Sequence, residues 1–206
     1  MPGTMSRADL VADLKASLQD AARSFTAAAD ADFKRHLDVA AEDMHRVRPR
    51  TLVGEIELSA GRADYTAPAD LRRYKSAIWG ALPDWSKPKP WEKTWPGRLP
   101  DVRVSAGSMI LMPAPSLKQI ALLGSAFRFY YVARDAIGDT AAETTIQPED
   151  RPLLLLRAQA EAMLELSIRD SVRPVQTGGG FGQQAKTGMP AAIWKELMAA
   201  WLGAGA

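Results

Sequence analysis

Apolar residues recur every three to four positions near the start of the chain. Leu10, Val11, Leu14, Leu18, Ala22 and Phe25 form one set, and Phe33, Leu37, Ala40, Ala41, Met44 and Val47 a second. That spacing puts each set on one face of a helix. Ser6 is a good N-cap with Asp9 as a weak capping-box partner, and the first helix is predicted to reach about Ala28. Asp30 or Asp32 caps the second helix, and Pro49 forces its end. Residues 1–5 read as a disordered lead. The pattern changes at Thr51, where Leu52, Val53, Ile56 and Leu58 suit a short strand. Gly61-Arg62 supplies a turn, after which Ala63–Ala67 is predicted to pair back as a hairpin. Pro68-Ala69-Asp70 opens a helical turn that buries Leu71, Tyr74, Ala77 and Ile78. Val102–Met112 reads as strand, and Ser116 and Gly124 bracket a short helix. Ala126–Val132, aromatic and β-branched, is the strongest strand, and Thr144–Ile146 is a further short one. Asp150 and Pro152 then start a Leu-rich helix that runs to Asp170.

Two stretches break this pattern. Residues 83–100, PDWSKPKPWEKTWPGRLP, hold five prolines and the tryptophans Trp85, Trp91 and Trp95. Proline denies them helix and central strand, so they read as an extended loop that tucks onto the domain or meets a partner. Residues 171–188 are Gly- and Gln-rich, with too little apolar surface to pack on themselves. The chain then resumes as a helix starting at Pro190. Its apolar face is Ile193, Trp194, Leu197, Met198, Trp201 and Leu202, with Lys195 and Glu196 opposite. A tether of 18 residues reaches about 20–25 Å. A tether ending in an aromatic helix predicts docking in a groove on a neighbour, with folding back on its own domain as the alternative. The predicted fold is α+β and mainly α: a small helical bundle, a short β-hairpin or sheet insertion, and an extended C-terminal arm ending in a helix. Residues 1–170 make the core and 171–206 the arm.

Composition narrows the function. The 206 residues include no cysteine, which excludes disulfide scaffolds, thiolate metal sites and cysteine nucleophiles. The net charge of +2 is too balanced to argue for wholesale nucleic-acid binding. No apolar run is long enough for a membrane span, and the start, MPGTMSRADL, lacks the form of a signal peptide.

Catalytic chemistry is not apparent. His36 and His45 lie nine residues apart on one helix and read as surface residues. Glu42-Asp43, Glu149-Asp150 and the pair Glu161 and Glu165 read as solvated charge or helix-dipole partners, not as an acid/base dyad. Residues 180–187, GFGQQAKT, approach a phosphate-binding loop, but Ala185 replaces its second glycine, and neither the preceding strand nor the following helix is present. The chain therefore reads as noncatalytic, with no cofactor and no metal. Arg46, Arg48 and Arg50 at the end of the second helix suit its C-terminal dipole, and become candidate DNA-channel residues if copies surround a bore. Lys87, Lys89, Lys93 and Arg98 interleave with Trp85, Trp91 and Trp95, a pattern that suits an interface loop or, diluted by Asp84 and Glu92, a nucleic-acid surface.

Three segments, taken in order, resemble the head-to-tail adaptor (connector) proteins of tailed bacteriophages and gene transfer agents. They are DFKRHLDVAAEDMHRVRPRTLVGEIELSAGRADYTAPADL (32–71), ILMPAPSLKQIALLGSAFRFYYVARDAI (110–137) and TTIQPEDRPLLLLRAQAEAMLEL (144–166). The Trp/Pro loop is not part of the resemblance. The resemblance implies a structural virion protein, made in the host cytoplasm, that forms a ring of about twelve copies at the capsid vertex. Its partners would be the portal protein, reached by the C-terminal segment, and the next neck or tail component. Genomic DNA would pass through the bore without sequence-specific contact. A tail-completion or stopper protein of the same neck is the nearest alternative, and a small nucleic-acid-binding module a more distant one.

Overall fold

The computed structural model describes residues 4–81, 88–172 and 190–205, and the chain divides into two compact units. A helical unit comprises Met1–Arg48 and Asp135–Ala206, and a β unit, Pro49–Arg134, is inserted into it. The α+β class and the sheet insertion agree with the sequence reading. The boundary does not, because the C-terminal helix belongs to the helical unit.

In the helical unit, α1 spans Arg7–Leu18 and α2 Ala31–Asp43. The long helix α4 spans Arg151–Val172 and α5 Pro190–Gly203. Ser6 caps α1 as predicted, its hydroxyl accepting from the Asp9 N–H at 3.2 Å. The helix ends earlier than its periodicity suggests. Gln19 adopts φ 49°, and residues Gln19–Ser24 tighten into a 3-10 segment. Phe25 is buried beyond it. Asp30 precedes α2 in a left-handed conformation and caps nothing with its side chain; it pairs instead with Lys15 at 2.6 Å. The α2 stripe (Phe33, Leu37, Ala40, Ala41, Met44, Val47) is buried throughout, as its spacing requires. From α4, Leu154, Ala158, Ala162 and Leu166 meet that stripe and the Leu10, Val11 and Leu14 face of α1. Met5, assigned to a disordered lead, is 5% exposed and joins this core. Its carbonyl accepts from the Thr144 hydroxyl at 2.7 Å, and that hydroxyl oxygen in turn accepts from the Gly138 N–H at 3.1 Å. Thr144–Ile146 is therefore irregular loop and not strand: its threonines bond to local backbone, which competes with a sheet ladder.

The β unit holds two antiparallel three-stranded sheets over one core. Strands β1 (Thr51–Glu57), β6 (Ala126–Ala133) and β3 (Leu71–Ala77) form the first, in the order β1-β6-β3. Strands β2 (Asp64–Thr66), β5 (Ser108–Met112) and β4 (Asp101–Ser105) form the second, in the order β2-β5-β4. As its composition predicts, β6 is the central strand of its sheet: Phe127, Phe129, Tyr131 and Ala133 point into the core, and Arg128 and Tyr130 point away. Three details differ from expectation. Residues 102–112 are a hairpin, not one strand, because Ala106 (φ 47°) and Gly107 (φ 80°) form a tight turn with two positive φ values. Strand β2 pairs with β5 and not back onto β1. Residues 71–77 are strand, not helix. Register shifts between Leu71 and Arg73 and between Tyr74 and Ser76 insert an extra residue twice. The inward residues thus become Leu71, Tyr74 and Ala77, a three-residue spacing that imitates a helical face.

The short helix α3 (Leu117–Leu123) forms as its signals predict. Ser116 and Gln119 make a reciprocal capping box, and Gly124 ends it at φ 86°. Gln119 is buried and also donates to the Arg98 carbonyl at 2.8 Å.

Gly54 lies across from Phe129, and a Cβ there would sit 2.5 Å from the Phe129 ring. Gly54→Ala should therefore destabilise the chain by about 1–3 kcal/mol through overpacking. A lowered urea midpoint at unchanged m-value is the expected result.

Candidate functional site

The terminal helix α5 packs on its own helical unit. Trp201 is fully buried in the core of its own helical unit. Two guanidinium groups lie near its ring, Arg46 5.8 Å and Arg157 5.9 Å from the centroid. Arg157 is itself 7% exposed. It donates from Nε to Asp43 at 2.9 Å and from Nη1 to Glu161 at 2.9 Å. One buried cation thus joins α2, α4 and α5. Such contacts are strongest where water is excluded. Gly205 comes close to Val47, a second contact of the tail with the end of α2. Met198 packs on the same core, and Ile193, Trp194 and Leu197 are half-buried. Leu202, 45% exposed, is the large apolar residue that the helix leaves to solvent. The expected docking arm is therefore corrected to a fourth core helix, because its broad apolar face finds a partner in α4. Of the tether expected over 171–188, Ser171 and Val172 end α4, and residues 173–188, with the phosphate-loop-like stretch, lie outside the described residues.

The arginine candidates are engaged separately. Arg46 covers Trp201, and Arg48 lies 3.5 Å from Asp150. Arg50, in the β unit, donates to the Arg134 carbonyl at 2.7 Å and lies 3.8 Å from Asp70. The structure gives each a local partner.

The polar residues of α2 and α4 hold a second centre, one that the sequence reading assigned to solvent. His36 is 1% exposed and packs edge-on against Phe25, with ring centroids 5.0 Å apart. Its Nε2 lies 2.7 Å from Glu165, and Arg35 donates to the same carboxylate oxygen at 2.6 Å. Arg169 pairs with the other oxygen of Glu165, and Asp32 lies 3.1 Å from Arg35. His36 Nδ1 has no partner among the described residues. Glu165 is thus a cross-helix tie, and Glu161 supports Arg157 within α4: i,i+4 spacing alone does not reveal that α2 brings His36 and Arg35 to Glu165 and Asp43 to Arg157. Burial pushes the Glu165 carboxyl up, but hydrogen bonds from His36 and Arg35 outweigh it and hold it below the ordinary carboxylate value. Within this cluster the Glu165 carboxylate is engaged on both oxygens, by His36 and Arg35 on one and Arg169 on the other. His45, by contrast, is half-buried and bonds the Glu42 carbonyl at 2.7 Å. Among the described residues no group of His, Asp and Glu converges to hold a metal ion.

In the Trp/Pro loop, Trp91 is 77% exposed with Lys89 5.4 Å from its ring centroid. Trp95 is half-buried and lines an open groove of about 340 Å³ with Pro88, Pro96, Leu99, Leu122 and Leu123. The structure therefore separates the two: Trp95 tucks in and Trp91 faces outward. Trp85 lies outside the described residues.

Charge is divided between the units in a way the whole-chain total conceals. The β unit has thirteen Lys and Arg against seven Asp and Glu, net +6, and the helical unit is net −4. Among the described residues no helix is long and apolar enough to cross a membrane. No family model matches the chain, and no curated protein matches it.

Two outcomes follow. Trp201→Ala should destabilise the helical unit by about 3–5 kcal/mol, where a free arm would leave its unfolding unchanged. Because the Glu165 pKa is lowered by folding, its contribution is present above the ordinary carboxylate value of 4.5 and is lost as pH falls through the lower folded value. Denaturation midpoints from pH 7 down to about pH 3 should show this loss, and Glu165→Gln should reduce the slope in that window.

Proposed function

We propose that the chain is a noncatalytic structural protein, a head-to-tail adaptor that forms a ring between the portal at a capsid vertex and the next neck component. The architecture carries this reading: a β unit inserted between α2 and α4 of a small helical unit. That is the arrangement expected from the resemblance of residues 32–71, 110–137 and 144–166 to such adaptors. The polar residues of the helical unit agree with a structural role, since Arg157, His36 and Glu165 are consumed in ties between helices. With Trp201 committed to the core, portal contact falls to what α5 leaves outward, chiefly Leu202 with the edges of Ile193 and Trp194.

A second reading, a nucleic-acid-binding module, draws on the net +6 of the β unit and on the exposed Trp91 beside Lys89. It predicts DNA affinity that falls steeply with salt.

Co-sedimentation with the portal ring from the same genome tests the first reading. The adaptor predicts that about twelve copies join each ring, since weak contacts repeated around it add by avidity. Leu202→Glu, a change at an exposed position, should weaken that attachment without unfolding the chain. Absence of portal binding together with salt-sensitive DNA binding would replace this reading by the second.

A further inference from the structure

We infer that copies of this chain associate head to tail through the edges of the β1-β6-β3 sheet, the acidic β1 edge of one copy meeting the basic β3 edge of the next. Both are edge strands, each seven residues long and, among the described residues, hydrogen-bonded into a ladder with β6 alone, although β4 lies beside β3. Strand β1, TLVGEIE, carries Glu55 and Glu57 and no cation. Strand β3, LRRYKSA, carries Arg72, Arg73 and Lys75 and no acid. All five side chains are exposed. Glu55 shares its charge with Arg128 at 2.6 Å, and Lys75 donates to the Thr51 hydroxyl at 3.3 Å. Glu57, Arg72 and Arg73 have no ion pair among the described residues.

Charge on an edge strand ordinarily guards against unwanted pairing, and charge of one sign on both edges would achieve that. Opposite signs on the two edges do something else. A two-fold contact would set β1 against β1 or β3 against β3, and like charges oppose both. The contact left is β1 against β3, which is heterologous: each added copy leaves one edge of each kind open until the chain of copies closes into a ring. The two bulges bow β3, so side chains meet here instead of a continuous backbone ladder. Exposed ion pairs add little affinity, but they select partner and orientation.

This inference rests on the ring reading for its biological setting, but its test needs no portal. Sedimentation velocity of the full chain at about 50 mM and about 500 mM salt reads self-association with and without screening. Association at low salt that is lost at high salt is expected. Glu55→Lys with Glu57→Lys, and separately Arg72→Glu with Arg73→Glu, should each weaken it at least about tenfold. An equimolar mixture of the two variants should restore it, because the reversed edges complement each other. Should either double variant fail to fold, Glu57→Lys and Arg73→Glu alone carry the same comparison. A chain that stays monomeric at both salt concentrations, or a mixture that restores nothing, would overturn the proposal. That failure would leave portal binding untouched, whereas a chain that associates this way and ignores the portal would lose the adaptor reading and keep this one.

Discussion

The helical unit turns on Arg157. Its guanidinium is buried, and a buried charge is tolerated only where partners replace water. Asp43 and Glu161 supply the charge and the Trp201 ring supplies a face. Each belongs to a different helix, so α2, α4 and α5 must be in place together for the cation to be stable. This makes α5 part of the fold. Remove it, and Arg157 loses the aromatic surface that shields it while keeping its charge. The neighbouring cluster of His36, Arg35, Glu165 and Arg169 ties the same two helices, α2 and α4, further along their length.

Much of this was legible from local pattern. The stripes of α1, α2 and α4, the cap at Ser6, the box at Ser116 and Gln119, and the central aromatic strand all depend on neighbours in sequence. The misreadings share a different cause. At Leu71, Tyr74 and Ala77, two bulges give a strand the inward spacing of a helix. At Thr144–Ile146, threonine hydroxyls spend the segment on loop contacts with Met5, Gly138 and Ala136. At His36 and Glu165, spacing along one helix carries no record of the helix packed across it. Trp201 is the sharpest case. An amphipathic aromatic helix looks the same whether its groove belongs to a partner or to its own chain, and Arg157 with Arg46 decides between them.

That correction moves the functional surface. A partner cannot use Trp201 without opening the core, so the proposed contacts would fall to Leu202, to Trp91 on its loop, and to the oppositely charged edges of the β sheet. These features suit a protein that works by position in an assembly. The division of charge between the two units, net +6 and net −4, is invisible in a net +2.

The most direct test is hydrogen exchange across α5. If this helix is held by the buried Trp201 against Arg46 and Arg157, amides of 194–203 should be protected to the same free energy as those of α4, since both open only when the helical unit opens. Exchange of that segment at the rate of an unstructured peptide, with α4 still protected, would contradict the account and return α5 to the role of a free arm.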